Sequence, residues 1–436
     1  MPLRGSLSPF LRRSGPPPVR RGAKWVPRDG PGSEGWPRGD GKGALMVLSL
    51  LRNGPGPDPV PGGGPDAGPD AGTDTFGPGG ELTLGVEEEL LLVDEADQLV
   101  EERRSQGWIA RVQELGGPGS GVVSGELFGS EIEFATVVCP DAASAAQHLA
   151  DLRAALVSAG ARAMAVGLHP AAPFGEPRVT HAPRYQYIGD SLAGVLRTPT
   201  AALQVHVGLP DAAAAVTAYR ALRQQLPVLR ALAAGSPYWH GRDSGLASAR
   251  AAVIASYPRS SLPPVVRSWD EYLALTAAVL AAAEAPDPSF VWWGARIQAR
   301  LGTVEIRVMD PQPSLATTAG LAALVQGIAA HALEHPVVID VPGEVLAEND
   351  FRAMRHGLET TMADPTGSMR PVREIAAELV DQARTALRPL GADAPLAEVE
   401  RILANEPEPD RQRRVHATGG MPGLLADLVE RTTRGW

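Results

Sequence analysis

Three consecutive glutamates, Glu87, Glu88 and Glu89, interrupt the otherwise apolar run LTLGVEEELLLVD at residues 82–94. A carboxylate loses its hydration when buried, so acids in such a run need a proton, a cation or a hydrogen-bond donor. Alternate residues of a strand share a face, so Glu87 and Glu89 point together and Glu88 points the other way. SEIEFAT (130–136) repeats the arrangement, with Glu131 and Glu133 opposite Ile132 and Phe134. GTVEIRVMD (302–310) sets Glu305 and Arg307 opposite Val304, Ile306 and Val308, and ALQVHVG (202–208) sets Gln204 and His206 opposite Val205 and Val207. One such glutamate is ordinarily solvated, and a lone histidine is ordinarily a hydrogen-bonded core residue. Four strands with the same pattern predict one shared, acid-lined sheet face. Clustered carboxylates repel and hold one another's protons unless cations neutralise them. Oxygen donors with one imidazole suit Mg2+ or Mn2+ and argue against thiolate-bound zinc. On the same face, Arg307 is suited to hold an anion such as phosphate. The spacing alone names no reaction.

The elements that must position these residues are legible from periodicity. Strands are expected at 81–93, 130–137, 163–168, 202–208, 290–299 and 303–309. Between and after them, helices are expected at 141–159, opened by Asp141 and ended at Gly160, and at 211–234, kinked by Pro227. A capping box, SWDE at 268–271, opens a helix to about 285. Residues 314–334, 344–360, 371–387 and 395–404 also read as helical. Strands and helices mixed without regular βαβ alternation or a phosphate loop favour an α+β domain with a largely antiparallel sheet.

Composition narrows the class. The 436 residues are 44% hydrophobic and 21% charged, as in a globular protein, and carry a net charge of −10, which gives no electrostatic case for a nucleic-acid or membrane partner. Cys139 is the single cysteine, so no intramolecular disulfide can form, which suits a reducing cytoplasm. Before Pro140 it reads as a strand-end core residue. No apolar run is read as approaching the roughly 20 residues that span a bilayer. Residues 1–80 hold 34 of the 89 glycines and prolines and are expected to be a disordered extension, leaving 81–436 as the catalytic domain. Helices 211–234 and 314–334 could supply the face of a homodimer or simply the core.

In seven segments the sequence resembles the bacterial glutamate–cysteine ligase type 2 family, the carboxylate–amine ligases with a glutamine-synthetase-like fold. They are LGVEEELLLVD (84–94), GELFGSEIEFATVVC (125–139), YQYIGD (185–190), VHVGLPD (205–211), SPYWHGRDSGLASARA (236–251), SWDEY (268–272) and GTVEIRVMDPQPS (302–314). The resemblance runs from about residue 81 to the C-terminus. It implies an ATP-dependent ligase that phosphorylates the γ-carboxylate of glutamate, after which an amine, nominally cysteine, attacks to form a γ-glutamyl amide. It further implies Glu87, Glu89, Glu133, His206 and Glu305 as ligands of Mg2+ or Mn2+, with Glu126 or Glu131 completing a shell. Glu305 and Arg307 would be catalytic, Arg307 stabilising the transferred phosphoryl group; Arg242 and Arg250 would hold the glutamate carboxylate or the nucleotide phosphates. One position departs from the family pattern: Gln204 stands where a histidine is usual. Two alternative readings follow, a carboxylate or guanidino kinase on the same fold and a non-catalytic metal- or nucleotide-binding homologue.

Overall fold

Seven antiparallel strands form one sheet: β1 (Leu84–Val93), β2 (Val122–Ser124), β3 (Glu131–Ala135), β4 (Arg162–Met164), β5 (Leu203–Gly208), β8 (Ala295–Gln298) and β9 (Thr303–Met309). Their order is β2–β3–β1–β5–β9–β8, with β4 also paired to β1. Two hairpins stand apart from it, β6 (Tyr238–Trp239) with β7 (Arg242–Asp243), and β10 (Thr361–Ala363) with β11 (Met369–Pro371). The computed structural model describes residues 76–77, 80–116, 121–175, 177–260 and 262–434, so nearly all of the extension expected at 1–80 lies outside the described residues. All described residues fall in one unit, Ala44–Trp436.

The sheet has two unlike faces. Val86, Leu90, Leu92, Ile132, Phe134, Val205, Val207, Val304 and Ile306 are buried on one face, within the same apolar core as the helices that cover it. At its centre runs Leu315–Glu334, packed against Ala142–Ser158, Ala212–Ala233, Val372–Leu387 and Leu396–Ala404. Gly327 allows the close approach of Val372–Leu387, since a Cβ there would stand 2.3 Å from the Ala383 Cβ. The central helix corrects the membrane reading: its 20 residues, with a mean hydropathy of 1.3, are long and apolar enough to span a bilayer, yet 89% of that stretch is buried inside the protein. It and Ala212–Ala233 are largely buried and serve as core helices, one of the two roles considered for them from sequence.

Glu88 is the exception on the apolar face and is fully buried. Arg153, from Ala142–Ser158, donates from Nε to its Oε2 at 2.9 Å and from Nη2 to its Oε1, and also donates to the carbonyls of Gln312 and Pro313 at 2.8 Å each. A buried charge persists when it is paired and its remaining hydrogen-bonding capacity is used.

Local expectations mostly meet their elements, with instructive misses. Asp141 caps its helix through the Ser144 N–H at 2.7 Å, and Ser268 accepts from Glu271 N at 3.1 Å. The Glu271 carboxylate reaches back one residue further than a simple capping box, to the Arg267 N–H at 2.7 Å. Pro227 lies inside a helix that continues through it. The strand expected at 290–299 shortens to β8, because Pro288–Phe290 winds into a 3-10 turn capped by Asp287.

Candidate active site

Strand register assembles the polar face. Glu89 lies opposite Glu133, Glu87 opposite Gln204, and Glu305 between His206 and Arg296 on its two neighbouring strands. Directly paired residues share a face, so side chains more than 200 positions apart in the chain come together.

Two groups of ligand-type atoms result, Glu87 with His206 and Glu305, and Glu89 with Glu126 and Glu133; in each, the atoms lie within 4.8 Å of one another. The His206 Nδ1 is 3.0 Å from the Thr303 hydroxyl, and its Nε2 is 3.3 Å from Glu87 Oε1. Bonding at Nδ1 fixes the ring and presents Nε2 to the acids, the usual orientation of a metal-ligating imidazole. Glu126 enters from the loop between β2 and β3 and accepts the Tyr185 hydroxyl, carried by the helix Pro183–Leu192. Five carboxylates and one imidazole make a hard donor set that fits Mg2+ or Mn2+. Of the two alternatives for completing a shell, Glu126 joins a group; Glu131 joins neither.

Charge divides unevenly across the site. Burial, reinforced by Glu126, pushes the Glu89 carboxyl from its usual 4.5 up to about 8. Burial and the Glu89 and Glu126 charges hold Glu131 well above the carboxylate range. Burial pushes Glu305 the same way, but Arg296, Arg307 and His206 outweigh it and leave Glu305 below that range. Arg296 and Arg307 both donate to Glu305, and Gln298 adds an N–H at 3.0 Å.

Gln204 fills its unusual position with a bridge. Its amide nitrogen donates to Glu89 Oε1 at 2.7 Å, while its carbonyl accepts from Arg307. A protonated imidazole there could donate to Glu89 but could not accept from Arg307.

The polar face forms one wall of a cavity of about 560 Å3, a size typical of small-molecule sites. Six arginines line it: Arg184, Arg223, Arg230, Arg250, Arg296 and Arg307. Glu87, Glu89, Glu126, Glu131 and Glu133 line it as well, while His206 and Glu305 sit behind them, touching Glu87 and Arg307. Arg250 is buried and held from behind by Asp310, 3.8 Å from its Nη1; Asp310 itself accepts from the Ser236 hydroxyl at 2.7 Å and the Ser248 hydroxyl at 3.0 Å. Gly167 allows this packing, since a Cβ there would meet Arg250 and Asp310 at 2.9 Å.

Arg242, which the resemblance offers with Arg250 as a holder of the glutamate carboxylate or the nucleotide phosphates, is not brought to the cavity: it is exposed on the β6–β7 hairpin, beyond a turn in which His240 and Gly241 adopt φ of 52° and 75°, and it is not among the cavity-lining residues. Arg184, Arg223, Arg230 and Arg296 escaped the sequence reading. Only Arg296 left a usable signal: closing GARIQ and TVEIR into a hairpin sets it opposite Glu305.

Solved structures share this architecture. The glutamate–cysteine ligase of Francisella tularensis, solved in complex with AMP, superposes with a TM-score of 0.60 at 11% identity, covering 80% of this chain and 88% of that one. A bifunctional glutathione synthetase from Pasteurella multocida gives 0.57 at 14% identity, covering 80% of this chain and 52% of that one. The fold is one shared with a glutamate–cysteine ligase and a glutathione synthetase. Residues 83–428 match the profile of glutamate-cysteine ligase family 2. A Rubrobacter xylanophilus protein provisionally named glutamate–cysteine ligase 2-3 is 36% identical over 82% of this chain and 99% of its own length. The glutamate–cysteine ligase of Haloquadratum walsbyi is 34% identical over 79% and 95%. This chain belongs to glutamate-cysteine ligase family 2.

Proposed function

We propose that the protein joins the γ-carboxylate of glutamate to an amine, nominally cysteine, at the expense of ATP, through a γ-glutamyl phosphate. The observation that carries this reading is the convergence of two acid groups and six arginines on one cavity. Glu87, His206 and Glu305 on one side, and Glu89, Glu126 and Glu133 on the other, would hold Mg2+ or Mn2+. Such ions, when bound, supply positive charge that screens the nucleotide's polyphosphate from the attacking carboxylate. Arg307, fixed by Gln204 and Glu305, stabilises charge on the transferred phosphoryl oxygens. Arg250, buried and braced by Asp310, binds a carboxylate of the donor. Low-dielectric surroundings strengthen each of these contacts and keep water from the acyl phosphate. Attack by the amine nitrogen on the acyl carbon forms the amide bond and releases phosphate.

The reading needs only small-molecule substrates, and ATP supply puts the reaction in the cytoplasm. Its test is phosphate release by the full-length protein given ATP, Mg2+, glutamate and a panel of amines, with the γ-glutamyl product identified by mass. Glu305→Ala and Arg307→Ala are each expected to abolish turnover. Folded protein that releases no phosphate with any amine refutes the proposal, and a phosphorylated donor without amide would identify a kinase.

A further inference from the structure

Two of the three acids in the group Glu89, Glu126 and Glu133 are fixed by the sheet, Glu89 on β1 and Glu133 on β3. Glu126 stands outside it, in the loop between β2 and β3. A carboxylate on a loose loop would lose conformational freedom with each ion it bound, so something other than the sheet has to hold it.

The segment leading into the helix Pro183–Leu192 holds the loop's backbone. Phe128 bridges to Val179, the Gly129 N–H donates to the Arg178 carbonyl at 2.9 Å, and the Thr180 N–H donates to the Leu127 carbonyl at 2.9 Å. The Thr180 hydroxyl donates to the carbonyl of Glu126 itself. These bonds leave the direction of the Glu126 side chain open. Tyr185 settles it: its hydroxyl donates to Glu126 Oε2 and lies 3.3 Å from the Gly125 carbonyl. The ring has little freedom, since Tyr185 is 4% exposed and belongs with Phe128, Leu168, Ile188 and Leu192 to an apolar cluster separate from the sheet core. A hydroxyl on a ring locked by packing is a fixed point against which a carboxylate can be aimed. Tyr187, two residues further on, is exposed and directs its hydroxyl to the Glu284 carbonyl at 3.1 Å instead.

We propose that Tyr185 is a positioning residue that acts through Glu126, holding that carboxylate where it completes a cation site with Glu89 and Glu133. The proposal rests on the reading that the two acid groups hold divalent cations.

The test is a calorimetric titration of the full chain with Mg2+ at about pH 8.5, where the Glu89 proton competes least. The wild type is expected to bind two ions, one at each acid group. Tyr185→Phe keeps the ring and removes only the hydroxyl. It should weaken one ion about 10- to 100-fold, the usual cost of losing a group that orients a metal ligand, and leave the ion at Glu87, His206 and Glu305 unchanged. Glu126→Ala should weaken the same ion, and adding Tyr185→Phe to it should cost nothing further, because the hydroxyl then has no carboxylate to aim. Tyr187→Phe should leave both ions unchanged. Unchanged binding in Tyr185→Phe overturns the proposal. So does equal weakening of both ions, a further loss in the double variant, or a loss in Tyr187→Phe as large as in Tyr185→Phe, since each would mean that the tyrosine serves the fold rather than the ligand. Phosphate release by the wild type with the amine panel, run in parallel, separates this proposal from the ligase reading. Turnover with unchanged Mg2+ binding in Tyr185→Phe sinks the positioning role alone; folded wild type that neither binds Mg2+ nor releases phosphate sinks both.

Discussion

Binding of Mg2+ should expel a proton, and the structure says which one and how much. Glu89 titrates near 8 in the metal-free protein because it is buried beside Glu126. A group titrating there is about nine-tenths protonated at pH 7 and about one-tenth at pH 9. A cation entering the group Glu89, Glu126 and Glu133 needs the carboxylate form. It should therefore release about 0.9 proton per ion at pH 7 and about 0.1 at pH 9. Affinity should climb close to tenfold per pH unit below about 7.5 and level off above about 8.5. The same proton sets the stability of the metal-free fold. Between pH 4.5 and 8 the folded protein keeps a proton that the unfolded chain has lost, so stability present at low pH is lost as pH rises through 8, by at most about 5 kcal/mol. Mg2+ should reverse that loss. The assay is calorimetric titration at pH 7 and pH 9 in buffers of different ionisation enthalpy, where the slope of observed enthalpy against buffer enthalpy counts the protons. A buffer-independent enthalpy at pH 7 refutes the reasoning, because it would mean that Glu89 is already ionised or takes no part in binding.

Three further outcomes follow from particular contacts. Replacing Arg153 by Met strands the buried Glu88 charge and should cost about 3–5 kcal/mol in urea unfolding, whereas Glu88→Leu with Arg153→Met should recover most of it; equal losses in both would show that the pair contributes through packing alone. Gln204→Leu removes the bridge between Glu89 and Arg307 at similar volume and should lower kcat about 10- to 100-fold with the melting temperature little changed, and an unaltered kcat would show that Arg307 needs no such anchor. Arg242→Ala should leave kcat and KM within about twofold, since the side chain is exposed outside the cavity; a larger loss would bring the β6–β7 hairpin back into the substrate site.

The polar face was legible because strand geometry leaves few choices. Once Glu87 and Glu89, Glu131 and Glu133, His206, and Glu305 and Arg307 each show period-two alternation, pairing of their strands must put them on one surface. What periodicity could not show came from elements without that constraint. Glu126 sits in a loop, where no periodicity assigns a direction, and only the family resemblance pointed to it. Arg223 and Arg230 lie on Ala212–Ala233, whose leucines announce a core stripe but not which helix edge borders a cavity. Glu88 could be seen to point away from its neighbours, yet its partner Arg153 lies 65 residues further on, in a helix whose docking no local pattern specifies. Glu408–Thr433 was not anticipated, because Gly419, Gly420 and Pro422 read as breakers; the chain does break helical geometry at Gly420, and helix continues on both sides.

Three adjacent glutamates thus meet three electrostatic fates, and their division gives the site a polarity. Glu88 is buried on the helix side and paired there with Arg153. Glu87 faces His206 within the group whose third member, Glu305, holds Arg296 and Arg307 and stays ionised. Glu89 faces Glu126 and Glu133, and with nearby Glu131 it is neutralised in the empty protein by a proton. One end of the cavity is thereby neutralised by guanidinium groups that cannot leave and the other by protons that can. Exchange of a proton for a cation is easy at the second end, while the first keeps fixed positive charge for an anion. A ligase that brings a nucleotide polyphosphate and a carboxylate together needs both, and the register of β1, β3, β5, β8 and β9 is what separates the two ends.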